Sequence, residues 1–203
     1  GCEHGCIYCY ARPTHAYLNL SPGLDFETQL IARPEIAAVL EGELRRPGYR
    51  VAPLAIGTNT DPYQPIERDH AIMRNVLGVM AAFRHPVWIT TRGTTIERDI
   101  DLIAALAAEG LASVSISVTT LDEDLARKME PRAPAPKRRL LMIRRLAGAG
   151  IPVRIQVSPL IPALTDHELE AVMEAGRDAG ATAANSIPLR LPLEVSGLFR
   201  DWL

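Results

Sequence analysis

Three cysteines lie within the first nine residues of the chain, and no other cysteine follows them. Cys2, Cys6 and Cys9 have the spacing C-x3-C-x2-C. Thiols this close together, and odd in number, cannot form a fold-wide disulfide framework, but they can converge on one metal centre. An iron–sulfur cube usually takes four thiolates. Three protein thiolates would hold three irons and leave the fourth iron open to a small molecule.

A structural zinc site is the alternative for these thiols, because three cysteines and one histidine form a recognised zinc ligand set. His4 or His15 could supply the fourth ligand. Zinc sites more often combine two C-x2-C units that lie far apart in the sequence, and this chain has only one such unit. The spacing therefore favours an iron–sulfur cluster and leaves zinc open.

The length of 203 residues suits a single domain over residues 1–203, and the 47% of hydrophobic residues can build a sizeable core. The formal net charge of −2 gives no broad electrostatic attraction to nucleic acid.

We find neither a secretory signal nor an apolar run that could span a membrane. We therefore expect no membrane partner and a cytoplasmic location, where thiols stay reduced. Because the chain begins without Met and enters the cysteine motif at residue two, we also expect truncation at both ends.

A regular alternation of strands and helices follows the cysteine loop, which covers residues 1–20, and must position the thiols. The predicted strands cover residues 51–56, 87–91, 113–119, 153–160 and 182–189. The predicted helices cover residues 34–45, 68–83, 96–109, 123–129, 138–149 and 166–179, and residues 26–31 have the character of a short extended stretch. This alternation over residues 51–190 indicates parallel strands with crossover helices, and therefore an α/β fold.

The central strands carry polar residues on one face, whereas strands buried on both faces normally read as continuous apolar runs. The polar faces hold Ser113, Ser115 and Ser117; Arg154, Gln156 and Ser158; and Trp88, Thr90 and Arg92. Because buried polar groups without partners are costly, these faces predict a lumen that contains a polar ligand, water or a satisfied network. An antiparallel sheet with one solvated face is the alternative. Ligands of parallel α/β folds bind at the carboxyl ends of the strands.

The cysteine motif resembles the signature of the radical S-adenosylmethionine (SAM) superfamily, C-x3-C-x-aromatic-C, with Tyr8 as the aromatic residue. Further stretches resemble the branch related to spore photoproduct lyase, often called DNA-repair-photolyase-like. These stretches are residues 57–67 (G-T-N-T-D-P-Y-Q-P-I-E), 90–93, 115–119, 130–132 (E-P-R) and 159–166.

The resemblance implies a partial (βα)6 barrel of parallel strands, open on one side, with a [4Fe–4S] cluster and SAM at its top. It also implies an enzyme in which the cluster reductively cleaves SAM to methionine and a 5′-deoxyadenosyl radical. The radical would abstract hydrogen from a substrate that the sequence does not identify. Nucleic acid is one candidate class of substrate. An electron donor such as flavodoxin or ferredoxin is implied as a partner. The cofactor carries this chemistry, and the protein supplies position and electrostatics.

The resemblance also implies roles for individual residues. Cys2, Cys6 and Cys9 would ligate the cluster, and Tyr8 and Tyr10 would lie against the cluster and SAM. The SAM contacts would be Thr58, Asn59 and Thr60 near the methionine amino group, Arg92 and Ser117 at the carboxylate and ribose, and Ser158 and Pro159 beside the adenine. The strand registers agree, because they point Arg92 and Ser117 into the lumen. A salt bridge is the alternative for Arg92.

One departure from the pattern concerns hydrogen donation. Spore photoproduct lyase has a hydrogen-donor cysteine near the position of Thr58, whereas this chain has no cysteine to spare. Thymine-dimer repair by that route is therefore in doubt, and Tyr63 is a candidate substitute donor. Two further functions stay open: a zinc-dependent hydrolase on an α/β barrel, and a non-catalytic iron–sulfur binding or electron-transfer module. No H-E-x-x-H motif supports the hydrolase.

Overall fold

A single parallel sheet forms the centre of the computed structural model, which describes residues 1–203. Its strands are β1 (Leu54–Ile56), β2 (Val87–Thr91), β3 (Ala112–Ser117), β4 (Val153–Leu160) and β5 (Ala183–Pro188). Each strand pairs in parallel with the next one along the chain, so the spatial order is β1-β2-β3-β4-β5. The predicted α/β fold, a partial barrel of parallel strands, is confirmed, and the antiparallel alternative is wrong.

Helices connect the strands and cover one face of the sheet. They are α1 (Asp25–Thr28), α2 (Ile36–Leu44), α3 (Glu67–His70), α4 (Ile72–Ala82), α5 (Ile100–Ala108), α6 (Glu123–Met129), α7 (Pro136–Gly148), α8 (Leu169–Asp178) and α9 (Glu194–Trp202). Short 3₁₀ helices cover Arg12–Leu18, Thr94–Asp99 and Asp166–Glu168. Local chemistry sets several helix starts: the Asp122 carboxylate caps α6, and α7 begins with a proline. Every helix is too short or too polar to cross a bilayer.

The hydrophobic core lies between the aliphatic face of the sheet and the helices. Three strand residues in this core are almost fully buried, namely Val114 and Ile116 of β3 and Ile155 of β4. Helix α8 approaches β4 closely, because a Cβ atom on Gly176 would lie only 2.5 Å from Ile155 Cδ1. The polar side chains of the strands occupy the opposite face, on which Trp88 is 56% exposed. The sequence prediction of one aliphatic and one polar strand face is therefore confirmed.

The structure differs from the sequence prediction at two predicted elements and contains one helix that was not predicted. Residues 26–31, predicted as extended, begin inside the single-turn helix α1, where Phe26 packs beneath Cys2. The predicted helix over residues 68–83 is broken at Ala71, whose φ of +49° is left-handed. The break persists because the Glu67 carboxylate accepts the first free N–H groups of α4, from Ile72 and Met73. Helix α9 was not predicted.

Candidate active site

A cavity of about 770 Å³ opens at the carboxyl ends of the strands. Its walls come from the cysteine loop, the segment after β1, the ends of β2, β3 and β4, and the chain that follows β5. Ten of the twelve predicted site residues line it: Cys2, Cys6, Tyr8, Cys9, Tyr10, Asn59, Arg92, Ser117, Ser158 and Pro159. Thr58 and Thr60 do not line it, although the Thr58 carbonyl accepts a hydrogen bond from the Tyr10 hydroxyl.

Hydrogen bonds to distant segments hold the cysteine loop in place. Cys2 N–H donates to the Phe26 carbonyl at 2.9 Å, and Ile7 N–H donates to the Met129 carbonyl at 3.0 Å. The buried Arg12 guanidinium donates twice to the Cys6 carbonyl, at 3.0 and 3.1 Å. The directions of the three cysteine side chains are thus set by the fold around the loop as well as by the loop itself.

The three thiols are buried or half-buried and form no disulfide. Burial, assisted by the nearby Asp61 carboxylate, raises the pKa of Cys2 to about 11. Burial also raises the pKa of Cys6 and of Cys9 above the ordinary value for a thiol. Without a bound cation the thiols are therefore protonated, and a bound metal would supply the charge that keeps them as thiolates.

The donor set suits an iron–sulfur cluster. The described chain contains no group of three or more His, Cys, Asp or Glu side chains placed to hold one metal ion, although the three thiols line one cavity. Each thiolate of a cubane cluster binds a different iron, so three thiols that line one cavity suit such a cluster. Of the two candidate zinc-ligand histidines, His4 lines the cavity and His15 does not. His15 Nε2 lies 3.1 Å from the Gln29 carbonyl oxygen.

Arg92 is one of two arginines in the cavity wall and is already paired. Its Nη1 donates to Glu130 Oε1 at 2.5 Å, to the Tyr8 hydroxyl at 2.7 Å and to Cys6 Sγ at 3.2 Å. Burial opposes the charge of Glu130, but Arg139 and Arg92 together lower the pKa of Glu130 to about 2. Arg92 therefore lines the cavity, as predicted, and also makes the salt bridge that was the alternative.

Asp61 organises the wall beside the cysteine loop. Its carboxylate accepts hydrogen bonds from Thr91 Oγ1 at 2.5 Å and from Arg92 N–H at 2.8 Å. The same carboxylate accepts a hydrogen bond from Tyr63 N–H at 2.9 Å. His4 Nδ1 lies 3.4 Å from Asp61 Oδ2, is buried and makes no hydrogen bond. Burial lowers the pKa of His4 to about 4, so its imidazole is neutral near pH 7.

The segment between β1 and α3 turns tightly to bring Asn59 and Asp61 to the cavity. Gly57 has a φ of +88°, and a Cβ atom there would lie 2.0 Å from the Thr90 carbonyl oxygen. Tyr63, the candidate hydrogen donor, does not line the cavity. Its buried hydroxyl donates to Asp99 Oδ2 at 3.2 Å instead. The structure thus gives no support to a donor role for Tyr63.

The sequence analysis did not name several cavity residues as site residues. They include Asp61, Gln156, Ile187 near the end of β5, and Arg190, Leu191 and Pro192, which follow β5. His4 also lines the cavity, but the sequence analysis considered it only as a zinc ligand. Asp61 lies in the G-T-N-T-D-P-Y-Q-P-I-E stretch and Gln156 on the polar face of its strand, so signals for both were present. The residues after β5 carry no motif, and only the structure brings them to the cavity.

The fold and the cavity together define a class of protein. The sheet is part of a barrel, and three cysteine thiols lie at the carboxyl ends of its strands. The family model described as Radical SAM superfamily matches residues 1–176 of the chain. The chain therefore belongs to the radical SAM superfamily.

Relatives extend across the whole chain. It is 42% identical over 205 residues to protein Rv2578c of Mycobacterium tuberculosis (strain ATCC 25618 / H37Rv), with 100% of this chain and 60% of the relative covered. It is 24% identical over 168 residues to protein MJ0683 of Methanocaldococcus jannaschii, with 83% of this chain and 60% of that protein covered. The chain thus spans about 60% of the length of these curated relatives.

Solved structures share the fold. A double mutant of spore photoproduct lyase with bound AdoMet and dinucleoside spore photoproduct matches with a TM-score of 0.70 at 15% identity. That match covers 98% of this chain and 57% of the lyase. SuiB of Streptococcus suis bound to S-adenosylmethionine matches with a TM-score of 0.65 at 15% identity, covering 93% of this chain and 38% of SuiB.

Proposed function

We propose that the chain is the core of a radical SAM enzyme, in which Cys2, Cys6 and Cys9 hold a [4Fe–4S] cluster beside bound SAM. The observation that carries this proposal is the single cavity that the three thiols share with most of the predicted SAM contacts. The bound cluster would supply the electron that cleaves SAM to methionine and a 5′-deoxyadenosyl radical, which abstracts hydrogen from the substrate.

The chain's own residues would bind and orient the cofactors. Tyr8 and Tyr10 would contact the cluster and SAM. The remaining contacts would be Thr58, Asn59 and Thr60 at the methionine amino group, Arg92 and Ser117 at the carboxylate and ribose, and Ser158 and Pro159 at the adenine. Because the Arg92 Nη1 is engaged by Tyr8 and Glu130, the guanidinium is held in one orientation, which favours a directed contact with a carboxylate.

The substrate and partners belong to the same proposal. A similar lyase structure holds a dinucleoside spore photoproduct, so nucleic acid is the first substrate class to test. Flavodoxin or ferredoxin would supply the electron, in a cytoplasmic location where thiols stay reduced. We also keep the prediction of a single domain over residues 1–203, with the cysteine loop over 1–20 and βα repeats over 51–190.

Anaerobic reconstitution tests the proposal. The purified chain would be loaded with iron and sulfide, mixed with dithionite and SAM, and assayed for 5′-deoxyadenosine by chromatography. We expect product from the wild type and its loss in Cys6→Ala, because one iron loses its protein ligand. Ser196→Ala, on the exposed side of α9, is the matched control and should retain the wild-type yield.

The two alternatives predict different outcomes of the same preparation. A zinc-dependent hydrolase would retain zinc without sulfide and would yield no 5′-deoxyadenosine. A non-catalytic iron–sulfur module would assemble its cluster, bind no SAM and yield no product. Unchanged 5′-deoxyadenosine formation in Cys6→Ala would rule out the proposed cluster ligation.

A further inference from the structure

The Glu130 carboxylate lies at the centre of a buried polar group behind the cysteine loop. It is 1% exposed and directly follows helix α6. It accepts hydrogen bonds from Thr119 Oγ1 at 3.0 Å and Arg92 Nη1 at 2.5 Å, and from the Tyr8 hydroxyl and Arg139 Nη2. One carboxylate thus joins the cysteine loop, the chain after β2, the chain after β3 and helix α7.

The residues on either side of Glu130 also hold the cysteine loop. Ile7 N–H donates to the Met129 carbonyl at 3.0 Å, and Arg132 N–H donates to the His4 carbonyl at 3.2 Å. The Arg132 guanidinium donates to the Glu3 carbonyl. The E-P-R run therefore packs along the cysteine loop, and Glu130 is its only carboxylate.

The Arg92 guanidinium stands between Glu130 and a cysteine sulfur. Its Nη1 lies 3.2 Å from Cys6 Sγ, and its Cζ lies 5.9 Å from the centre of the Tyr8 ring. Hydrogen bonds to cysteine sulfur and the net local charge are two of the factors that set the reduction potential of an iron–sulfur cluster. Arg92 supplies both a donor and a positive charge, and Glu130 opposes that charge from the other side.

We propose that Glu130 is a positioning residue that fixes Arg92 and Tyr8 against Cys6, offsets the charge of Arg92 with its own, and by both means sets the reduction potential of the cluster. This inference rests on the proposed function only in that the three thiols hold a cluster. It adds a specific role for Glu130, which touches neither the cysteine sulfurs nor the cavity directly. A purely structural role would change the stability of the fold and leave the potential of the folded, loaded protein unchanged.

Glu130→Gln is the main test variant. The glutamine keeps an oxygen that can accept from Arg92 and Tyr8, but it removes the negative charge. A potentiometric titration of the reconstituted cluster, followed by electron paramagnetic resonance without SAM, would give the midpoint potential. We expect a more positive midpoint than in the wild type, because the positive charge of Arg92 is no longer opposed. An unchanged or more negative midpoint would overturn the proposal.

Glu67→Gln is the matched control. Glu67 is also a buried carboxylate paired with an arginine, since it accepts from Arg98 Nη2 at 2.7 Å, but it does not line the cavity or contact the cysteine loop. We expect the wild-type midpoint in this variant. A shift as large as that of Glu130→Gln would mean that any buried carboxylate has the effect, and would overturn the specific role of Glu130.

Arg92→Gln tests the same proposal if Glu130→Gln fails to fold or load. It removes the donor to Cys6 Sγ and the positive charge, so we expect a more negative midpoint, and an unchanged one would overturn the proposal.

The proposed function and the positioning role of Glu130 fail in different ways. A wild-type chain that assembles no cluster contradicts the proposed function and the positioning role together, whereas a loaded wild type with insensitive variants contradicts only the positioning role.

Discussion

At the scale of single residues, Glu130 combines deep burial with a retained negative charge. Two arginines, Arg92 and Arg139, make this possible, because an unpaired buried carboxylate would become protonated instead. Removing one partner from such a buried group leaves the others uncompensated and is strongly destabilising. The charge of Glu130 should therefore be visible in the pH dependence of stability.

The stability of the fold should fall as Glu130 takes up a proton. Its pKa is lowered from 4.5 to about 2 in the folded chain, so the unfolded chain binds the proton more readily. The stabilisation is fully present above about pH 4.5 and is lost as the pH falls towards 2. It amounts to about 3 kcal/mol. Urea unfolding of the wild type and of Glu130→Gln should show a difference that shrinks over this interval, and a constant difference would contradict the charged state of Glu130.

The sequence predicted the chemistry-bearing residues better than it predicted their connections. Cysteine spacing, strand alternation and the family resemblance together predicted one site for Cys2, Cys6, Arg92 and Ser117, and all four line the cavity. The partner of Arg92, Glu130, follows it by 38 residues, and no local periodicity connects the two. Contacts between residues far apart in the chain depend on how several elements pack, and a single sequence does not contain that information in local form.

At the scale of elements, helix and strand periodicity identified β2, β4 and α6 with the bounds that the structure has. The errors occur where a tertiary contact overrides local preference. Helix α4 begins at Ile72 because a buried Glu67 side chain satisfies its first N–H groups, and the polar stretch before it gives no sign of this. Helix α9 escaped because its buried residues, Val195 and Phe199, form only one short apolar stripe.

The junction between β1 and the cavity segment should tolerate no side chain at Gly57. A Cβ atom there would overlap the Thr90 carbonyl, and the left-handed φ disfavours other residues. We expect Gly57→Ala to lower the free energy of unfolding by about 2 kcal/mol or more, as measured by chemical denaturation.

Gly78 provides the control for the Gly57 variant. It lies within α4, and a Cβ atom there would meet nothing within 4 Å. Gly78→Ala should therefore raise the free energy of unfolding by about 0.5–1 kcal/mol through better helix propensity. Equal effects of the two substitutions would show that crowding at the strand end is unimportant.

At the scale of the whole molecule, the sheet is a barrel wall with its polar inner face exposed. Trp88 and Arg154 extend from this face, and the Arg154 side chain makes no salt bridge or hydrogen bond within the chain. Neighbouring strands are paired in register, so the inner side chains form rows across the sheet. The inner face below the cavity is therefore accessible in this chain, which spans about 60% of the length of its relatives.

Tryptophan fluorescence should report this accessibility. Trp88 is 56% exposed on the inner face, whereas Trp202 packs on Phe199 with ring centroids 5.5 Å apart. Acrylamide should therefore quench Trp88 in Trp202→Phe more strongly than it quenches Trp202 in Trp88→Phe. The reverse order of the two quenching constants would mean that the inner face is covered in solution.

The hydrogen bonds between the cysteine loop and residues 129–132 have a consequence for biosynthesis. The ribosome makes the loop well before Met129 and Arg132, the residues whose backbone groups hold Ile7 and His4. Until that later segment has left the ribosome, the cysteine loop lacks these hydrogen-bond partners. If the three thiols hold the proposed cluster, we therefore expect its assembly to follow the synthesis of Arg132.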